Sequence, residues 1–173
     1  VHENKNNQME EIFRSMRTNL QFMMKENQKV IMFTSTTSGE GKTFNAANLA
    51  ISFALLGKKV VLVGLDIRKP RLSELFQLDN HHNGITKLLA KDNVETADVQ
   101  KEILSSEIND NLDILLAGPI PPNPGEIVSR PSLKKVIDIL REQYDYVLID
   151  TAPVGLVTDT LQIGKWCDAT VYM

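Results

Sequence analysis

The sequence predicts a doubly wound α/β fold, a mostly parallel sheet with flanking helices, preceded by an N-terminal amphipathic helix. Three observations predict it. Short apolar runs without polar alternation recur along the chain, helical patterns fall between them, and the first run leads through a glycine-rich turn straight into a helix. Unbroken apolar strands suit a parallel sheet buried on both faces, because a half-exposed sheet alternates. Strands alternating with helices imply right-handed crossovers and helices on both sides of the sheet.

Met9, Ile12, Phe13, Met16, Leu20, Met23 and Met24 recur at steps of three and four, so residues 8–26 read as an amphipathic helix packed through its methionines. The first strand is VIMFTST (30–36). The glycine-rich turn follows, then a helix from Lys42 to Leu56 closed by Gly57. KKVVLVGLD (58–66), LDILLAG (112–118), YDYVLID (144–150) and ATVYM (169–173) supply the remaining strands. PSLKKVIDILREQ (131–143) is helical, with Pro131 in its first turn. PIPPNPG (119–125) concentrates four of the seven prolines and reads as a rigid loop. A short helix is expected near Gly84–Ala90, and the rest of 79–111 reads as a variable insert.

With 173 residues the chain forms one domain of ordinary size. Nineteen Lys and Arg against 22 Asp and Glu leave a net charge of −3, which opposes a nucleic-acid partner, whose usual footprint is strongly basic. Cys167 is the single cysteine, so neither an internal disulfide nor a CxxC site can form, and a reducing compartment is expected. No run approaches the roughly 20 apolar residues of a membrane span. The chain stops at Met173 inside a strand-like run, which reads as a piece of a longer protein.

The chemistry concentrates in Ser38-Gly39-Glu40-Gly41-Lys42-Thr43, between a strand and a helix. Glycines there let successive N–H groups point at phosphate oxygens, and the helix N-terminus adds partial positive charge. Lys42 can reach the β- and γ-phosphates and the Thr43 hydroxyl can ligate Mg²⁺, as in a P-loop NTPase. The strict pattern asks for glycine at position 36, where Thr36 stands. Val147-Leu148-Ile149-Asp150 brings a carboxylate to the C-terminal end of a buried strand, where open α/β sheets bind ligands and where a phosphoryl-transfer site needs a metal ligand. VVLVGLDIR delivers Asp66 to a similar place, followed by Arg68.

These segments resemble the bacterial tyrosine kinases of the P-loop type, which partner chain-length regulators of capsule and exopolysaccharide. The likeness spans EEIFRSMRTNLQF, SGEGKT with AANLA after it, LDIRKPRL, GPIPPNPGEIVSRP, and VLIDTAPV with Asp159 beyond. SGEGKT corresponds to Walker A, LDIR to the Walker A′ motif and IDTAP to Walker B. The resemblance implies a non-specific protein-tyrosine autokinase that uses ATP and Mg²⁺. Ser38, Gly39, Glu40, Gly41, Lys42, Thr43 and Phe44 are the expected nucleotide contacts, Thr43, Asp66 and Asp150 the metal ligands, and Lys42, Asp66 and Asp150 the catalytic set. Glu11, Arg14 and Arg17 match a pattern that joins subunits into a ring, although their spacing also suits pairing within one helix. Residues 1–26 would then be an oligomerisation element and 27–173 the kinase domain, truncated at its C-terminal end. The implied partners are copies of the chain, a membrane chain-length regulator in cis or in trans and a tyrosine-containing substrate. The implied location is the cytoplasmic side of the bacterial inner membrane.

Two departures stand out. Relatives carry an aspartate where this chain has Gly64, so Asp66 would act alone or with water, and restoring that carboxylate is expected to leave activity equal or higher. Relatives also end in a tyrosine cluster, and here only Tyr144, Tyr146 and Tyr172 occur. The competing readings are an ATPase switch like those that position division sites and partition plasmids, whose signature lysine position is Thr37 here, and a non-catalytic nucleotide-binding regulatory module. His81 and His82 read as loop residues, and Trp166 and Cys167 are expected to bury against the final strand.

Overall fold

A computed structural model describes residues 7–80, 84–154 and 159–173. His81 and His82 lie outside the described residues. The helices are α1 (Asn7–Met23), α2 (Lys42–Leu55), α3 (Leu72–Phe76), α4 (Ile85–Leu89), α5 (Thr96–Glu102), α6 (Pro124–Val128), α7 (Ser132–Gln143) and α8 (Asp159–Gly164). The strands are β1 (Val30–Thr34), β2 (Val60–Gly64), β3 (Leu104–Ser105), β4 (Leu112–Leu115), β5 (Tyr146–Asp150) and β6 (Ala169–Tyr172).

The strands form one sheet in the order β3-β4-β2-β5-β1-β6, parallel throughout except for β3. Successive residues along β1 and β2 face opposite sides, so two cores form. Ile31, Phe33 and Leu62 meet α1 and α2 on one face; Met32, Val61 and Val63 meet α4–α7 and Ile163 of α8 on the other. Burying each such side chain contributes about 1.5–3 kcal/mol. Both faces are therefore sealed, and functional groups are left to the ends of the strands.

The insert between β2 and β4 is ordered. α4 occupies the predicted place, while α5 and the antiparallel edge strand β3 appear where only a variable insert is expected. A two-residue strand is too short to show a period. The proline-rich loop ends earlier than its composition suggests, because Pro124 occupies the first turn of α6, where its missing N–H costs nothing.

Two expectations need correction. The α1 stripe is only partly used: Phe13 and Leu20 are buried and Met16 and Met24 half-buried, yet Met9, Ile12 and Met23 are exposed. The α1–α2 contact is narrower than the apolar arc. Trp166 and Cys167 pack on the α7 side of the sheet rather than on β6, with Lys134 Nζ 5.7 Å from the Trp166 ring centroid. Burial pushes the Cys167 thiol up to about 12, so it is inert.

Candidate nucleotide and metal site

Between β1 and α2 the chain must reverse direction within a few residues. Gly39 (φ +86°) and Gly41 (φ +78°) adopt the left-handed backbone that other residues resist. A Cβ at Gly39 would meet nothing within 4 Å, so backbone conformation and not crowding selects glycine there. Gly41 caps α2 without a side-chain hydrogen bond, which leaves the helix's opening amides available to an anion. The loop is braced from within. Ser35 Oγ donates to the Thr37 carbonyl at 2.7 Å, and Glu40 Oε2 accepts the Thr37 N–H at 3.1 Å, a bond that lowers the exposed carboxyl's pKa. Thr36, in the place of the usual glycine, hydrogen-bonds the Tyr172 hydroxyl.

Parallel register brings three strand ends level, with Asp150 opposite Phe33 on β1 and opposite Gly64 on β2. Asp150 is 2% exposed. Its Oδ2 accepts the Thr43 hydroxyl at 2.7 Å, while its Oδ1 is buried with no hydrogen-bond partner among the described residues. Burial raises the carboxyl to about 6; the Thr43 bond and the Lys42 charge pull it down, and the Asp66 charge pushes it up. A buried carboxylate oxygen without a partner, beside a hydroxyl on the same group, suits a small hard cation. Thr43 and Asp150 therefore fit Mg²⁺, which takes few protein ligands and keeps waters and substrate phosphates for the rest.

Asp66 lies two residues beyond β2 and is half-buried, its Oδ1 accepting the Lys69 N–H at 3.1 Å. It lines a cavity of about 530 Å³ together with Ser38, Gly39, Gly41, Lys42, Thr43 and Phe44. Of the residues expected at the nucleotide, only Glu40 stays off this wall, and Asp150 stands behind it, reached through Thr43. The rest of the lining comes from residues that motif reading does not assign to the site, Lys69, Arg71, Glu74 and Leu75. The signal available for them is their position in KPRL, directly after LDIR.

Glu11, Arg14 and Arg17 lie away from this cavity. Arg14 pairs with Glu11 within α1 at 2.8 Å, and both are well exposed. Arg17 instead reaches α2, donating from Nη1 to the Ser52 carbonyl at 2.7 Å and to Ser52 Oγ at 3.1 Å.

The AAA domain family profile matches residues 28–163. Tyrosine-protein kinase YwqD of Bacillus subtilis is 39% identical over 162 residues, covering 93% of this chain and 66% of the relative. Tyrosine-protein kinase CpsD of Streptococcus pneumoniae is 35% identical over 162 residues, covering 94% of this chain and 69% of the relative. The chain belongs to the bacterial P-loop tyrosine kinase family. It spans about two thirds of the length of these relatives. Among solved structures, the chimerical protein CapA2B2 superposes with a TM-score of 0.88 at 38% identity, covering 99% of this chain and 74% of that one. The Pyrococcus horikoshii septum site-determining protein MinD superposes at 0.66 with 24% identity over 84% of this chain and 57% of its own, a likeness of fold alone.

As in a P-loop fold generally, the phosphate loop and the acidic strand end converge. No described helix is long and apolar enough to cross a membrane.

Proposed function

We propose that this domain transfers the γ-phosphoryl group of ATP to tyrosine hydroxyls, with Mg²⁺ as cofactor, and serves capsule or exopolysaccharide production. The observation that carries the reading is the Thr43–Asp150 bond beside an unpartnered Asp150 Oδ1, next to a phosphate loop whose cavity also holds Asp66. Bound there, Mg²⁺ supplies neutralisation of phosphate charge. The amides of Gly39 to Thr43 and the Lys42 ammonium hold the phosphates, while Thr43 and Asp150 provide the metal's protein ligands. Phosphoryl transfer passes through a loose transition state, so positioning and charge stabilisation carry most of the catalysis.

In the transfer, the tyrosine oxygen forms a bond to the γ-phosphorus as the bond from that phosphorus to the β–γ bridging oxygen breaks. The phenolic proton passes to the Asp66 carboxylate, and ADP leaves. Tyr144 is a poor acceptor within this chain, since it is buried and its hydroxyl donates to Asp113 Oδ2 at 2.6 Å. The domain works beside the membrane with a chain-length regulator and with further copies of the chain, whose contact includes Glu11, Arg14 and Arg17; kinship with tyrosine-protein kinases such as CpsD supports the kinase part of this reading.

Lys42→Met tests the reading. Phosphotyrosine formation on a supplied peptide and Mg·ATP affinity should both collapse while the thermal midpoint holds. Unchanged Mg·ATP affinity removes the loop from nucleotide binding, and ATP hydrolysis by the wild type without tyrosine transfer favours the ATPase-switch reading.

A further inference from the structure

Besides Lys42 of the phosphate loop, the cavity carries two further cations, Lys69 and Arg71. Lys69 and Arg71 are exposed and line it beside Asp66, Glu74 and Leu75. Arg71 is distinctive among the chain's arginines. Arg14 holds Glu11, Arg17 holds Ser52, Arg68 holds Asp159, Arg130 holds Asp92 and Arg141 holds Asp168. Arg71 has no such partner among the described residues, and Lys69 contributes only its backbone N–H, to Asp66. Glu74 lies in the same cavity one helical turn along α3, yet it pairs with neither cation.

In-line displacement brings the acceptor oxygen to the face of the γ-phosphorus opposite the departing ADP. If Asp66 takes the acceptor's proton, the acceptor enters the part of the cavity that Asp66 shares with Lys69, whose N–H it accepts, and with Arg71. A tyrosine ring seated there finds exposed apolar surface, since Phe44 and Leu75 both line the cavity and are 40% and 41% exposed. The residues flanking that tyrosine then face Lys69 and Arg71. A guanidinium without an internal partner engages a carboxylate bidentately, and the low cost of freeing it favours an external anion.

Resting on the kinase reading above, we infer that Lys69 and Arg71 form an acceptor subsite selecting tyrosines flanked by acidic residues. They determine specificity and do not touch the reacting atoms. Discrimination on the order of 10-fold is expected, the scale of one partly solvated charge-assisted bond.

The test uses the full chain with Mg·ATP and two synthetic peptides, one with glutamates and one with lysines on both sides of a single tyrosine. The wild type should favour the acidic peptide about 10-fold in kcat/KM, mainly through KM. Lys69→Ala with Arg71→Ala should erase that preference while the KM for Mg·ATP is unchanged, and Arg71→Glu alone should reverse it, which guards against a double variant that folds poorly. Equal use of both peptides by the wild type, or an acidic preference that survives the double substitution, overturns the subsite and leaves the kinase reading standing. Transfer to neither peptide overturns both.

Discussion

Arg68 holds Asp159 across 91 residues of chain, with Nη2 at 3.0 Å and Nε at 3.3 Å from the same carboxylate oxygen. Gly125 of α6 lies directly beneath, and a Cβ there would come 3.0 Å from Asp159 Oδ1 and 3.4 Å from Arg68 Nη2. Three segments singled out for family likeness, LDIR, PPNPGE and the residue beyond IDTAP, thus meet at one contact. The contact ties the chain just past Asp66 to α6 and α8. Alanine in place of a helical glycine normally stabilises by up to about 1 kcal/mol. Gly125→Ala should forfeit that gain and lower the thermal midpoint, because the methyl displaces the ion pair. In an Asp159→Ala background the same change should become neutral or stabilising, a coupling that a double-mutant cycle reads directly. Additive effects would separate Gly125 from the pair.

Asp150 makes the site sensitive to pH. Burial raises its folded-state pKa from 3.8 to about 6, so the folded chain binds a proton that the unfolded chain has already released between those values. The stability due to this group is full below the ordinary carboxylate value and is lost as pH rises through the window, by up to about 3 kcal/mol. Metal binding runs the opposite way, because only the ionised carboxylate is a ligand. Without nucleotide, Asp150→Asn should therefore flatten the stability profile between pH 4 and 6. For the wild type, Mg·ATP affinity should climb as pH rises through about 6. A pH-independent affinity across that range would exclude Asp150 as a ligand.

Much of this arrangement is legible in the sequence. Asp150 and Thr43 stand out because strand-end carboxylates and loop hydroxyls sit at fixed offsets from unbroken apolar runs, and parallel register does the rest. Lys69 and Arg71 carry no such mark, since their place in the cavity depends on the path of the chain between β2 and α3. Spacing puts Arg17 on one face with Glu11 and Arg14, while its bond to Ser52 depends on how close α2 passes, which local pattern does not record. The contact of Gly125 with Asp159 needs three separate turns of chain, and local pattern records none of them.

Gly64 now carries a different expectation from the one its likeness suggests. It sits level with Asp150 on the neighbouring strand, and a Cβ there would lie 3.2 Å from the Ala117 nitrogen and 3.2 Å from Leu72 Cδ1. The Ala117 backbone has little freedom to retreat. Gly64→Ala should cost about 1–3 kcal/mol through overpacking. Gly64→Asp should cost at least as much, since it adds a second carboxylate beside a carboxyl already raised by burial. Activity equal to or above wild type in Gly64→Asp, with an unchanged thermal midpoint, would show that the chain after β4 and Leu72 of α3 relax to admit the side chain.

The charges of α1 divide into two roles that one experiment can separate. Arg17 spends two hydrogen bonds on Ser52 and fixes α1 to α2, whereas Glu11 and Arg14 pair at the surface. Bonds from a charged donor contribute about 1.5–3 kcal/mol. The buried Arg17 Nε has no partner, and its removal returns part of that. Arg17→Ala should then destabilise by about 1–2 kcal/mol, a fall of about 2–8 °C in thermal midpoint at this chain length. Glu11→Ala with Arg14→Ala should leave the midpoint nearly unchanged, since exposed pairs contribute about 0–1 kcal/mol. If those two residues join neighbouring subunits, the same double variant should lower the mass seen by light scattering at high protein concentration, and added salt should do likewise to the wild type. A triple variant including Arg17 cannot make this distinction, because loosening α1 would itself disturb any surface the helix presents. Assembly of the Glu11/Arg14 double variant to the wild-type mass would assign both residues to solvating the helix.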